Sequence, residues 1–271
     1  MASLQNFNSE NQIPAELLTA RIVEIHASIS KLESLKPSKQ VNSLFTQLVK
    51  LCTLNSSIDV KALSPELQKM RQSLILLSGR TEGLLELEFA SFITKLTQPL
   101  NNLSLFPYYG NYVKLANLEY SILSQNGVVK PKKVAFVGSG PMPLTSLIMA
   151  SHHMKSTHFD NFDIDEAANY VARKIVSSNA EFEKRMKFHT SDIMEVKEKL
   201  VSKEETVKIL GHIRKYMKDG GVLLVRSANG ARAFLYPVVE ENELMEFEVL
   251  SIFHATNDVI NSVVLVRKPI F

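Results

Sequence analysis

Along the first half of the chain the apolar positions return every third or fourth residue, the repeat of a single helix face. Leu17, Leu18, Ile22, Ile25, Ile29 and Leu32 draw the first stripe, and the turn KPSK closes it. Val41, Leu44, Phe45, Leu48 and Val49 draw a second. Ser64-Pro65-Glu66 then joins a capping side chain, a proline suited to a first turn and an early acid, so a third helix is predicted to start there and to carry Leu67, Met70, Leu74 and Leu77. A fourth is predicted from about Glu82 to Leu96. A fifth follows Phe106-Pro107, with Tyr112, Leu115, Leu118 and Ile122 on its apolar side. Helices in a row with short connections predict an all-α, bundle-like domain over residues 1–126.

The period changes past the linker SQNGVVKPKK. Short apolar runs at 133–137, 158–163, 186–190, 221–226, 247–253 and 261–267 read as strands, with helical stretches between the first four. That alternation predicts a parallel α/β sheet with right-handed crossovers over residues 127–271. Only a short loop, Ala255 to Ile260, separates the last two runs, so these are predicted to pair antiparallel. A parallel sheet ending in an antiparallel hairpin fits a Rossmann-like S-adenosylmethionine (SAM) methyltransferase fold better than a dehydrogenase.

Composition narrows the function classes. The 271 residues hold 31 Lys and Arg against 28 Asp and Glu, a formal net charge of +3, and no basic block stands out. Nucleic acid is therefore not the expected partner. The single cysteine, Cys52, excludes a disulfide within the chain and points to a reducing, cytoplasmic compartment. In LVKLCTL it reads as a small buried hydrophobe rather than a nucleophile. The opening MASLQNFNSENQIP is polar and does not read as a secretory signal, and no apolar run nears the ~20 residues of a membrane span. A homo-oligomer is compatible with all of this.

The chemistry starts at residues 134–146, VAFVGSGPMPLTS. A strand feeds a glycine turn, Gly138-Ser139-Gly140, that feeds a helix. A dinucleotide fingerprint would place a third glycine where Pro143 stands. Pro141 and Pro143 also remove two of the N–H groups that a pyrophosphate would need at a helix start. The turn suits a ligand without phosphates, such as SAM. Asp163, at the end of the second strand, is placed to accept from ribose hydroxyls, with Asp165 as the neighbouring candidate. Asp192, after the third strand, is placed to accept from an adenine amino group. Each acid alone could equally be a loop or cap residue, Asp165 above all as the cap of EAANYVARKI. The adjacent His152-His153 has no matching Cys/His set and reads as a surface pair, so no metal is expected.

Longer strings carry a resemblance. FVGSGPMPLTS, SLKPSK, LFPYYGNYVKLANLEY, NFDIDEAAN and RSANGARAFLYPVV, spread from about Ile25 to Lys268, resemble plant nicotianamine synthases. The resemblance implies a helical N-terminal domain on a SAM-methyltransferase-like domain. It implies transfer of the 3-amino-3-carboxypropyl group of three SAM molecules, with release of methylthioadenosine and one ring closure, to give nicotianamine, a chelator of iron, zinc and copper. SAM is then substrate, and no further cofactor is implied. The resemblance makes Glu86 the base and Tyr112 its positioning or relaying partner, with Glu82 and Glu88 as near alternatives to Glu86. Tyr109 is a candidate to line the substrate, and Tyr108 reads as core. Substrate carboxylates call for arginine, and Arg226 and Arg232, with Tyr236 one turn on, are the candidates; a structural ion pair is the other reading of either arginine.

One departure stands out. The family resemblance implies a fourth strand, central in the sheet and beside the first. Here the chain reads EVKEKLVSKEETVKIL, with no β-run between Asp192 and the helix around Val207. The sequence thus predicts that this strand is missing, which leaves the first strand unpaired on one side. It also leaves two other functions open, a non-catalytic SAM-binding or interaction protein and a small-molecule methyltransferase.

Overall fold

A computed structural model describes residues 13–191 and 203–270. The helical repeat produces α1 (Ala15–Ile29) and α2 (Lys39–Cys52), the latter capped by the Ser38 hydroxyl, which accepts from the Val41 N–H at 3.2 Å. Where two helices were predicted, one continuous 29-residue helix forms, α3 (Pro65–Ile93). The expected break was Ser78-Gly79-Arg80-Thr81. A helical glycine such as Gly79 costs only about 1 kcal/mol. Burial of Leu74, Ala90 and Ile93 on either side outweighs that, and the Thr81 hydroxyl bonds back to the Leu77 carbonyl at 2.8 Å. A 3-10 segment (Pro99–Leu105) leads into α4 (Tyr109–Gln125).

The strands fall close to the predicted runs: β1 (Lys133–Val137), β2 (His158–Asp163), β3 (Met186–Thr190), β4 (Val222–Ser227), β5 (Glu248–Phe253) and β6 (Ser262–Arg267). The connections between β1 and β4 are helical: α5 (Leu144–Ile148) running into a π-helical turn (Met149–His153), α6 (Glu166–Val176), α7 (Ala180–Arg185) and α8 (Lys203–Tyr216).

The described residues pack into two units. One holds the described part of Met1–Thr81 with Arg226–Glu240 and Phe253–Ser262. Its core joins Leu18, Ile22 and Ile29 of α1, Phe45, Leu48 and Cys52 of α2, and Leu74 of α3 to Phe234 and Leu235. Burial pushes the Cys52 thiol far up, as expected of a packing residue rather than a nucleophile. The other unit holds Glu82–Val225, Glu241–Ile252 and Val263–Phe271. Its core joins Ala90, Ile93, Phe106 and Ala116 of the helical region to Met142, Leu147, Phe159, Ile175 and Met186.

The strands form two three-stranded sheets, β1-β2-β3 and β4-β6-β5. The first is parallel throughout, with Val137 opposite Phe162 and Phe162 opposite His189. In the second, the last two strands run oppositely: Arg267 lies beside Glu248 at one end and Ser262 beside His254 at the other. Among the described residues β1 is bonded to β2 alone and β4 to β6 alone; residues 192–202, on which the expectation of a missing strand turns, lie outside them. Lys133, Ala135 and Val137 are exposed, Val137 to 52%, in a strand whose apolar sequence reads as interior.

Candidate active site

The glycine turn is fixed by β2. Gly138 and Gly140 take φ of 70° and 65°, the left-handed region that glycine enters at least cost. This lets the chain double back so that the Gly138 and Ser139 N–H groups donate to the Phe162 carbonyl at 2.8 and 3.2 Å. The Gly140 N–H donates to Asp163 Oδ2 at 2.8 Å, and the other oxygen of that carboxylate accepts from the Asp165 N–H at 2.9 Å. All three turn amides are therefore committed, and Pro141 and Pro143 have none to offer. No nest of free N–H groups remains for a pyrophosphate, as the prolines alone had suggested. α5 begins at Leu144, and the Pro143 carbonyl accepts its first bond from the Leu147 N–H at 2.9 Å. Ser139 is 6% exposed, and its hydroxyl has no hydrogen-bond partner among the described residues. An unsatisfied hydroxyl costs on the order of 1–3 kcal/mol, which a polar ligand at the turn would relieve.

Asp163 thus holds the turn. Each of its oxygens keeps a lone pair for a further donor. Asp165 is the cap of α6, accepting from the Ala167 N–H at 2.8 Å. Asn169, fully buried one turn further along α6, was not singled out by the sequence. Its side-chain amide reaches the Asp163 carbonyl, the His189 carbonyl and the Thr190 hydroxyl at 3.1, 3.2 and 3.1 Å, fastening together the ends of β2 and β3. Its spacing from the capping Asp165, four residues in DEAAN, was the available signal. Asp192 lies outside the described residues.

The helical region brings the base candidate to the same turn. Glu86 on α3 is 8% exposed, and Oε2 lies 3.0 Å from where a Cβ on Gly140 would sit. A side chain at Gly140 would press on that carboxylate and make it give by a few tenths of an ångström. The Tyr112 hydroxyl donates to Glu86 Oε1 at 2.6 Å and has Glu82 Oε1 at 3.3 Å. A phenol donating to a carboxylate at that distance is a strong, orienting hydrogen bond. Glu86 and Glu82, one turn apart, thus both face Tyr112, whereas Glu88 is exposed. Phe106 packs beside the Tyr112 ring at 6.4 Å between centroids and edge-on to Tyr108 at 5.8 Å. Tyr109 is half-buried at the start of α4 against the same core.

The other candidates belong to the first unit. Arg232 is half-buried, and its Nε–H donates to the Val259 carbonyl at 3.1 Å and its Nη2 to that of Asn257. These two donors brace a loop and meet no acid. Arg226 is half-buried, and Tyr236 packs against the Phe234 and Leu235 core. His153 stacks on Tyr120 at 4.3 Å and pairs with Asn117 Oδ1 at 2.7 Å. Among the described residues no group of three or more His, Cys, Asp or Glu is placed to hold a metal ion.

Comparison with known proteins decides between the ligand classes. The family model for "Nicotianamine synthase protein" matches residues 9–271. This chain belongs to the nicotianamine synthase family. It is 51% identical over 270 residues to nicotianamine synthase 3 of Arabidopsis thaliana, covering 93% of this chain and 84% of the relative. It is 47% identical over 261 residues to the nicotianamine synthase of Solanum lycopersicum, covering 92% and 82%. Among solved structures, an MtNAS variant in complex with S-adenosylmethionine aligns with a TM-score of 0.76 at 18% identity, covering 93% of this chain and 98% of that one. MtNAS in complex with MTA and tNA aligns with a TM-score of 0.73. At that identity these structures establish the fold, a SAM-methyltransferase-like sheet with a helical N-terminal region.

Proposed function

We propose that this chain is a nicotianamine synthase, joining the 3-amino-3-carboxypropyl groups of three SAM molecules in three rounds of C–N bond formation, one of which closes a ring. The observation that carries the reading is the Tyr112–Glu86 pair, with the Glu86 carboxylate laid against Gly140 of the turn. In each transfer the acceptor ammonium gives a proton to Glu86. The freed nitrogen lone pair attacks the γ-carbon of SAM as the C–S bond breaks. That bonding pair stays on sulfur, which leaves as the neutral thioether methylthioadenosine. The sulfonium is already a good leaving group, so the protein's work is deprotonation and alignment. Methyl transfer to an oxygen or nitrogen would need the turn but not a buried carboxylate standing over it.

Gly138, Ser139, Gly140 and Asp163, with Asp192, hold SAM in this reading, and Tyr109 lines the acceptor. Arg226 and Tyr236 are assigned to substrate carboxylates on their chemistry, and Arg232 braces their loop. Residues 1–126 form the helical part and 127–271 the SAM-binding part. SAM is the small-molecule partner and no other cofactor is invoked; the protein acts in the cytoplasm in metal homeostasis. Incubation with SAM followed by mass spectrometry tests the proposal. Methylthioadenosine together with nicotianamine is the expected result, and S-adenosylhomocysteine would replace it with methyl transfer. A second reading, a chain that holds SAM without turnover, is favoured by the exposed side of β1, and SAM binding with no product would establish it.

A further inference from the structure

Each round of the proposed reaction leaves a proton on Glu86, and Glu86 is buried. A base that must act three times has to be emptied between rounds, and the protein offers a way out. We propose that Glu82 is a positioning residue that acts through Tyr112, receiving the proton from Glu86 and restoring the base; the inference rests on the function proposed above. Tyr112 carries one hydroxyl proton. With Glu86 ionised, the 2.6 Å contact makes Glu86 its acceptor, and Glu82 Oε1 waits at 3.3 Å. Once Glu86 is protonated, it becomes a donor and the phenol oxygen its acceptor. The hydroxyl proton then turns to the other carboxylate within reach, that of Glu82. Two coupled shifts follow, from Glu86 to the Tyr112 oxygen and from the Tyr112 hydroxyl to Glu82. One proton leaves Glu86, one arrives on Glu82, and Tyr112 ends neutral as it began. Glu82 is half-buried where Glu86 is 8% exposed, so the proton moves toward the group with readier access to water. The one-turn spacing on α3 keeps both carboxylates on the face that meets Tyr112.

Rapid-quench measurement of methylthioadenosine separates the first turnover from those that follow. In Glu82→Gln the steady-state rate falls about tenfold or more while the first turnover falls less than about threefold, and Glu82→Asp recovers part of the loss. A Glu82→Gln steady state within about twofold of the parent overturns the relay. So does an equal loss in the first turnover, which would place Glu82 in the transfer itself or in the fold. A structural arm is independent of turnover. Glu86→Gln presents a neutral side chain able to donate to the phenol, as protonated Glu86 would. Its crystal structure is expected to show the Tyr112 hydroxyl moved onto Glu82, at about 2.7 Å. A hydroxyl still directed at residue 86 overturns the relay, whereas a parent chain that releases no methylthioadenosine overturns the proposed function.

Discussion

β1 and β6 have similar sequences and opposite surroundings. KVAFV and SVVLVR are both apolar runs that read as interior strands. β6 lies between β4 and β5, and residues 262–266 are all buried. Among the described residues β1 is bonded to β2 alone, and alternate residues along it are exposed. Apolar sequence states what a strand wants, and neighbours decide what it gets. The comparison also explains why the glycine turn at the end of β1 keeps its form. Its bonds run to the Phe162 carbonyl and the Asp163 carboxylate, both on β2. The base over it comes from α3, not from the sheet.

Substitutions can break or sharpen that contrast. The largest effect belongs to the base. Glu86→Gln is expected to lower methylthioadenosine release by about a hundredfold or more, with SAM affinity within a few-fold of the parent. Loss of SAM binding as well, by calorimetry, would make Glu86 a structural residue of the turn. Next comes the contrast of strands. Val264→Ala in β6, where the side chain is 2% exposed, is expected to cost about 2 kcal/mol in chemical denaturation. Val137→Ala in β1, 52% exposed, is expected to stay within about 0.5 kcal/mol. Equal costs would mean that β1 is covered in solution and the contrast is wrong.

The glycines give a finer test. Both have positive φ, so alanine at either costs roughly 1–2 kcal/mol of strain. Only at Gly140 does the new methyl also press on Glu86 Oε2, at 3.0 Å, whereas at Gly138 it meets nothing within 4 Å. Gly140→Ala should therefore lose several-fold more catalytic rate than Gly138→Ala, and equal losses would detach Glu86 from the turn.

The smallest effect lies on the exposed side of the β1-β2-β3 sheet. Burial raises the pKa of Asp160, but the hydrogen bond from His189 at 2.9 Å and the charge of Lys133 outweigh it, and the net shift is downward from 3.8. A lowered folded-state pKa gives stability that is present above 3.8 and lost as pH falls through the folded value. Asp160→Asn is expected to be slightly less stable than the parent near neutral pH and to match it in strong acid. A gap that widens in acid would contradict the sign.

Much of this was legible beforehand, for physical reasons. Strand positions followed from apolar runs bounded by turns, and the start of α3 from Ser64-Pro65-Glu66. The glycine turn's preference for a ligand without phosphates followed from two prolines. The expectation that no strand follows Asp192 came from EVKEKLVSKEETVKIL, which holds no apolar run long enough for one, and residues 192–202 lie outside the described ones. Three things were not legible. The continuity of α3 through Gly79 depends on burial elsewhere in the helix. The commitment of Asp163 to the Gly140 amide depends on a contact across 23 residues that no local pattern encodes. The use of Arg232 as a brace depends on the carbonyls of Asn257 and Val259 arriving from a distant loop. The sequence marked chemically able side chains, and hydrogen bonding from afar decided which were already engaged.

The central claim is that the turn is competent because its support lies on β2. Calorimetric titration of SAM into the chain tests it most directly. The account predicts saturable binding at one site, weakened about tenfold or more by Asp163→Ala, which removes the carboxylate that holds the Gly140 amide. No measurable binding by the parent chain, with the protein folded, would contradict it and would show that support from β2 is not enough to form the site.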